Sequence, residues 1–195
     1  MSAKGKKKIP KYMLAPVTNS PALPKGGNPS KQITHDVAKL VEDGGHKLDA
    51  SGNIVRETVT ETYVWNQDHR TTLKADKGNW TVLETEEESM FLKCRRFGLF
   101  KKWKTNTHMG WNILLDNNQL KIIGKGVRKK GVLIDVKVAK FVEGNSGIWH
   151  GYPIDYRNVN EDVICDNALY CWLRLNVIDK SEISDIQRKE ESSLV

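Results

Sequence analysis

The sequence predicts an α+β fold, a twisted antiparallel sheet of about five to seven strands followed by two C-terminal helices. Three observations carry this expectation. Short β-type runs separated by turn signals fill residues 54–152. The clearest alternation in the chain sets Val132, Ile134, Val136, Val138 and Val142 on one face, with Asp135 and Lys137 on the other beside Leu133, Ala139 and Phe141. After Tyr156 the apolar spacing becomes helical. Strands followed by helices favour α+β over a doubly wound fold.

Taken in order, residues 1–30 hold Pro10, Pro16, Pro21, Pro24 and Pro29, the run Lys6-Lys7-Lys8 and the pair Gly26-Gly27. With few apolar residues at any period, this predicts a flexible basic arm ahead of one domain over 31–195. Ile33, Val37, Leu40 and Val41 lie at helical spacing, so a short helix is expected over Ile33–Glu42, stopped by Gly44-Gly45. Asp49-Ala50-Ser51-Gly52-Asn53 reads as a turn. In its single copy it resembles the turn of a YD repeat, the shell-forming unit of Rhs proteins.

Ile54–Trp65 predicts a strand, with Val55, Val59, Tyr63 and Trp65 on one side and Thr58, Thr60 and Thr62 on the other. Thr71–Lys74 and Trp80–Glu84 read as two further strands around the turn Asp76-Lys77-Gly78-Asn79. Residues 86–103 begin with acids and end with bases, a polarity that suits the helix dipole. Their apolar residues make no single stripe, so a helix or strand to Arg96 and an irregular continuation are expected. Trp111–Leu115 and Leu120–Ile123 form a hairpin pattern around Asp116-Asn117-Asn118, and Ile148–Tyr152 returns along the 132–142 strand. The two helices are expected at about 160–176, with Asn160 as N-cap, and at about 180–190. Asp179 and Glu182 are spaced for a capping box on the second, and the last residues are expected to fray.

Composition narrows the class. A chain of 195 residues suits one domain, and 38% hydrophobic residues with mean hydropathy −0.54 predict a modest core. No window approaches the roughly 18 apolar residues of a membrane span, so no membrane association is expected. No apolar stretch follows the basic N-terminus, so it does not read as a secretory signal. Cys94, Cys165 and Cys171 are too few, and odd in number, for a disulfide framework, which points to a reducing cytoplasmic setting. Charge is distributed unevenly. Residues 93–140 carry thirteen Lys or Arg against Asp116 and Asp135, whereas residues 155–195 carry nine acids against five bases. Such asymmetry implies a polyanion-binding face, or pairing with an acidic partner, with the tail or with a second copy.

Three function classes follow. The first is a small nucleic-acid-binding protein. Lys93, Arg95, Arg96, Lys101, Lys102 and Lys104 interleave with Phe97, Phe100 and Trp103, and Lys125, Arg128, Lys129 and Lys130 follow in a glycine-rich loop. Cations track a phosphate backbone while aromatics stack on unpaired bases. The loop lacks the spacing of a nucleotide-binding P-loop. A helix-turn-helix over 160–190 would present Glu182 and Asp185 to phosphates, which repels.

The second class is a small toxin-like hydrolase or nuclease built on the densest junction, Gly144–Tyr156. There His150 would be the general acid or base, oriented by Asp155 or Tyr152. The bland alternative is that the junction only turns the chain from sheet to helix. The third class is a protein-interaction module that docks an acidic partner. Cysteine and histidine spacing predicts no metal site, and no cofactor is expected.

Overall fold

In the computed structural model the described residues are 28–71, 78–104, 107–128, 132–144, 147–158 and 162–194. The elements are β1 (Ser30–Ala38), β2 (Arg56–Val64), α1 (Asp68–Thr71), β3 (Asn79–Trp80), α2 (Glu84–Arg96), β4 (Phe100–Lys104), β5 (Thr107–Ile113), β6 (Leu115–Asp116), β7 (Gln119–Leu120), β8 (Gly124–Val127), β9 (Leu133–Val136), β10 (Val138–Glu143), β11 (Ile148–Ile154), α3 (Asp166–Arg174) and α4 (Lys180–Gln187).

The α+β expectation holds. A six-stranded sheet has the order β1-β2-β11-β10-β5-β4, and α3 and α4 follow it in the chain. The sheet is mixed, not wholly antiparallel: β11 pairs parallel to β2 through Ile148↔Thr62, Trp149↔Tyr63 and His150↔Val64. A smaller sheet, β3-β8-β9, and the hairpin β6-β7 complete the strands among the described residues. Asn117 (φ 49°) and Asn118 (φ 64°) make the hairpin turn, the left-handed pair that a two-residue type I′ turn requires.

Several local expectations change. The segment expected as a helix over Ile33–Glu42 is mostly strand β1. Ile33 and Val37 are four residues apart, which puts them on one face of a helix or of a strand alike, and pairing with β2 decides in favour of the strand. The expected strand at Trp80–Glu84 overlaps the two-residue β3 only at Trp80, and α2 begins at Glu84. The Glu86 carboxylate accepts a hydrogen bond from the Leu83 amide at 3.0 Å and fixes that start. Thr71 closes α1, and residues 72–77 lie outside the described residues.

The irregular continuation after Arg96 is strand β4 from Phe100. The long strand through 132–142 divides at Lys137, with β9 in the small sheet and β10 in the large one. The first C-terminal helix starts later than expected, at Asp166, and Asn160 lies outside the described residues. The capping box of α4 forms as its spacing implies, with Asp179 accepting from the Ser181 and Glu182 amides and Glu182 from the Asp179 amide. The chain end does not fray throughout. Leu194 is buried and the Tyr156 hydroxyl donates to the Glu190 carbonyl at 2.7 Å. Of the expected arm, residues 1–27 lie outside the described residues.

Helix α2 positions the site. Its Glu87, Met90, Phe91, Cys94 and Arg95 are buried against β1 and β5, a single stripe at helical spacing. Phe91 meets Tyr63, Phe141 and Trp149 at ring distances of 4.6, 5.8 and 5.4 Å. Gly151 makes room for that cluster, since a Cβ there would lie 2.7 Å from the Phe141 ring and the Tyr63 hydroxyl.

Candidate binding groove

Two polar networks, one part-buried and one centred on the buried Glu87, hold α2 to the β1–β2 side of the sheet. In the first, Glu61 of β2 takes Arg95 Nη2 (2.7 Å) and Nε (3.1 Å), the Trp149 indole N–H (3.1 Å) and His35 Nε2 (2.8 Å). The Arg95 guanidinium also lies over the rings of Phe100 (4.2 Å) and Trp149 (4.5 Å). Burial alone would push the Glu61 carboxyl up. The bonds from His35 and Arg95 outweigh it and hold the group below the usual carboxylate range. In the second, Glu87 accepts from the Tyr63 hydroxyl at 2.7 Å and from Arg70. Here burial dominates over the Arg70 cation and pushes the Glu87 carboxyl up to about 7.

The opposite stripe of α2 is solvent-facing: Thr85, Glu88, Ser89, Leu92, Lys93 and Arg96 follow helical spacing. Together with Lys31, Thr34, His35 and Asp36 of β1 and Thr58 of β2, they line a groove of about 660 Å³. Residues of β1 alternate between the two faces of the sheet. Lys31 and His35 belong to the face covered by α2, and Thr34 and Asp36 to the other. A groove that touches both sets runs past the edge of the strand.

That edge is unpaired among the described residues, because β1 ends the sheet order. Its backbone direction is fixed by two hydrogen bonds at its limits. The Trp65 amide donates to the Pro29 carbonyl (3.0 Å) and the Lys39 amide to the Val55 carbonyl (2.9 Å). The register between them is unbroken, so odd-numbered residues bond to β2 and the backbone groups of Gln32, Thr34 and Asp36 point outward. Charge in the groove is partly neutralised. Lys31 pairs with Glu88 at 2.8 Å, and Asp36 accepts from the Thr58 hydroxyl at 3.0 Å. Lys93 and Arg96 are exposed, and neither has an ion-pair partner among the described residues.

The residues singled out by sequence lie elsewhere for the most part. His150 is half-buried on β11 opposite Val142, its ring stacked with Tyr152 at 6.3 Å. Tyr152 is buried, with the His69 ring at 5.2 Å and the Lys140 ammonium at 5.9 Å. Asp155 is not brought to His150. Five residues of nearly continuous extended chain separate them, about 16 Å at strand rise. The Asp155 carboxylate instead takes Arg157 Nε (2.8 Å) and Arg128 Nε (2.9 Å). Those bonds outweigh burial and hold it below the usual range.

The expected cations are dispersed over the molecule. Arg95 is internal, and the Lys101 ammonium donates to the Val163 carbonyl at 3.1 Å. Lys125 of the small sheet pairs with Asp135, and Arg128, just past β8, pairs with Asp155. Lys102 and Trp103 are exposed on β4, at the edge opposite β1, and Lys104 closes that strand. Lys129 and Lys130 lie outside the described residues. Of the described members of this set, Lys93 and Arg96 line the groove.

The groove is not legible from the sequence because the spacing predicts a helix from Ile33, inside what is strand β1. The available signal was Gln32, Thr34 and Asp36 alternating with Ile33, His35 and Val37. Burial pushes the Cys94 and Cys165 thiols up, the latter to about 11, which leaves neither as a thiolate near neutral pH. Among the described residues no three His, Cys, Asp or Glu side chains are placed to hold a metal ion, and no helix is long and apolar enough to cross a membrane. No family model matches the chain, and no curated protein or solved structure matches it.

Proposed function

We propose that the protein is an interaction module whose groove between β1 and α2 docks an acidic segment of a partner protein. The observation that carries this reading is the open strand edge lying beside Lys93 and Arg96, two exposed cations with no acidic partner among the described residues. An opposite charge brought there gains Coulomb attraction at little desolvation cost, because the site is solvated. A labelled nine-residue peptide alternating Glu and Thr, the length of β1, is a suitable probe. Titrated by fluorescence anisotropy, it binds the intact protein and weakens as salt rises. Reversing both charges, Lys93→Glu with Arg96→Glu, reduces affinity by roughly tenfold, the equivalent of about 1.4 kcal/mol. Unchanged affinity in that variant removes the reading.

Nucleic acid is the competing ligand. It is favoured by Phe97 and Trp103, aromatics that are 42% and 40% exposed beside the exposed Lys93, Arg96 and Lys102. A single-stranded oligonucleotide that outcompetes the peptide, and whose binding depends on Lys102 and Trp103, would favour that reading. The hydrolase reading gains no support from Asp155, whose carboxylate serves two arginines.

A further inference from the structure

The geometry points to strand addition as the binding mode: the ligand is an extended acidic peptide that pairs with the outer edge of β1 and becomes a seventh strand beside the six already present. This inference rests on the docking reading above and adds the mode of recognition to it.

An edge strand offers a row of backbone donors and acceptors that another chain can complete. Gln32, Thr34 and Asp36 present such groups outward, in a strand whose nine-residue register has no bulge. The row spans about 13 Å from Gln32 to Asp36, enough for several ladder bonds. An added strand would place alternate side chains on the two faces of the sheet. On the α2 face they meet Leu92, Lys93 and Arg96; on the other face they meet Thr34 and Asp36, the latter already bonded to the Thr58 hydroxyl.

The first set selects acidic side chains, because Glu88 is already neutralised by Lys31. The second set suits threonine, since Thr34 and Thr60 already form a cross-strand hydroxyl pair at 2.8 Å. The floor under this edge is fixed. His35 is tied to Glu61, and Glu61 to Arg95, so the strand is held in place before a ligand arrives.

The test separates the mode from the docking itself. Two versions of the Glu/Thr peptide carry N-methyl groups, one on alternate residues beginning with the first, the other on the intervening residues. Each keeps the charge of the parent. Against the intact protein, strand addition predicts that one version loses affinity by roughly tenfold or more while the other stays close to the parent. The variant Thr34→Pro removes one outward N–H and leaves the bonds at Ile33 and His35 to β2, as proline on an edge permits. Provided its melting curve stays cooperative, it should weaken the parent peptide similarly; the methylated peptides decide the matter if it does not fold. If both methylated peptides and Thr34→Pro bind like the parent while the Lys93→Glu/Arg96→Glu variant does not, strand addition is overturned and docking by charge stands. If the parent peptide binds neither protein, the docking reading fails and the mode fails with it.

Discussion

The two edges of the large sheet are built in opposite ways. Strand β4 is five residues long, contains Lys101, Lys102 and Lys104, and carries a register shift between Lys102 and Lys104. Short length, lysines and a bulge are the usual means of stopping one sheet from adding to another. Strand β1 has nine residues in continuous register, and its outward positions are Gln32, Thr34 and Asp36. One edge is guarded and the other is regular, exposed and flanked by a helix. The difference teaches that Lys102, among the cations most conspicuous in the sequence, suits an edge defence, whereas the two that face the open edge come from α2.

The largest effect expected from breaking this contrast lies in Arg95, which pairs with Glu61 on the β1 side and stacks over Phe100 on the β4 side. Arg95→Met keeps an apolar body against Phe100 and leaves the half-buried Glu61 carboxylate without its guanidinium. Stability should fall by about 3–5 kcal/mol in chemical denaturation, the usual cost of removing one partner of a largely buried pair. Amide exchange should rise more in β1 and β2 than in β4 and β5. Equal loosening of both edges would show that Arg95 does not distinguish them.

Next come the two glutamates of these networks, Glu87 buried and Glu61 half-buried, which respond to pH with opposite sign. Glu61 is held below its ordinary range, so its contribution is present above that range and is lost as pH falls through the folded value. Glu87 is raised from 4.5 to about 7, so between those values the folded chain binds more protons than the unfolded one. Its contribution is therefore greatest below pH 4.5 and declines as pH rises to about 7. Glu87→Gln should flatten that decline in a series of melting temperatures from acid to neutral pH. A slope that survives the substitution would assign it to another group.

The smallest effect on stability is expected at the guarded edge. Lys102→Val on β4 should change the unfolding free energy by less than about 0.5 kcal/mol, as exposed substitutions do. It should nonetheless raise concentration-dependent association in light scattering. A variant that associates no more than the parent at every concentration would remove the defensive role given to Lys102.

What the sequence made legible was local. The Asp179–Glu182 cap and the turn at Asn117-Asn118 are each decided by residues a few positions apart, and both form where their residue types imply. The order of strands followed by helices set the fold class for the same reason. Long-range pairing was not legible. Ile33 and Val37 fit a helix or a strand until β2 is beside them, and alternation continues through Lys137 although the chain there passes from one sheet to another.

Of the candidate site, Lys93 and Arg96 were visible as cations but not as neighbours of β1. Arg95 was counted with them, and its burial depends on Glu61, which is 34 residues away. His35, which anchors the open strand to that carboxylate, gave no signal while its segment was read as helical.

The central claim, that β1 and α2 form the working surface, is tested most directly by mapping backbone amide shifts of the intact, isotope-labelled protein during titration with the Glu/Thr peptide. The account predicts the largest shifts at Gln32, Thr34 and Asp36 and at Leu92, Lys93 and Arg96, with β4 unmoved. Shifts concentrated at Lys102 and Trp103, with β1 silent, would contradict it.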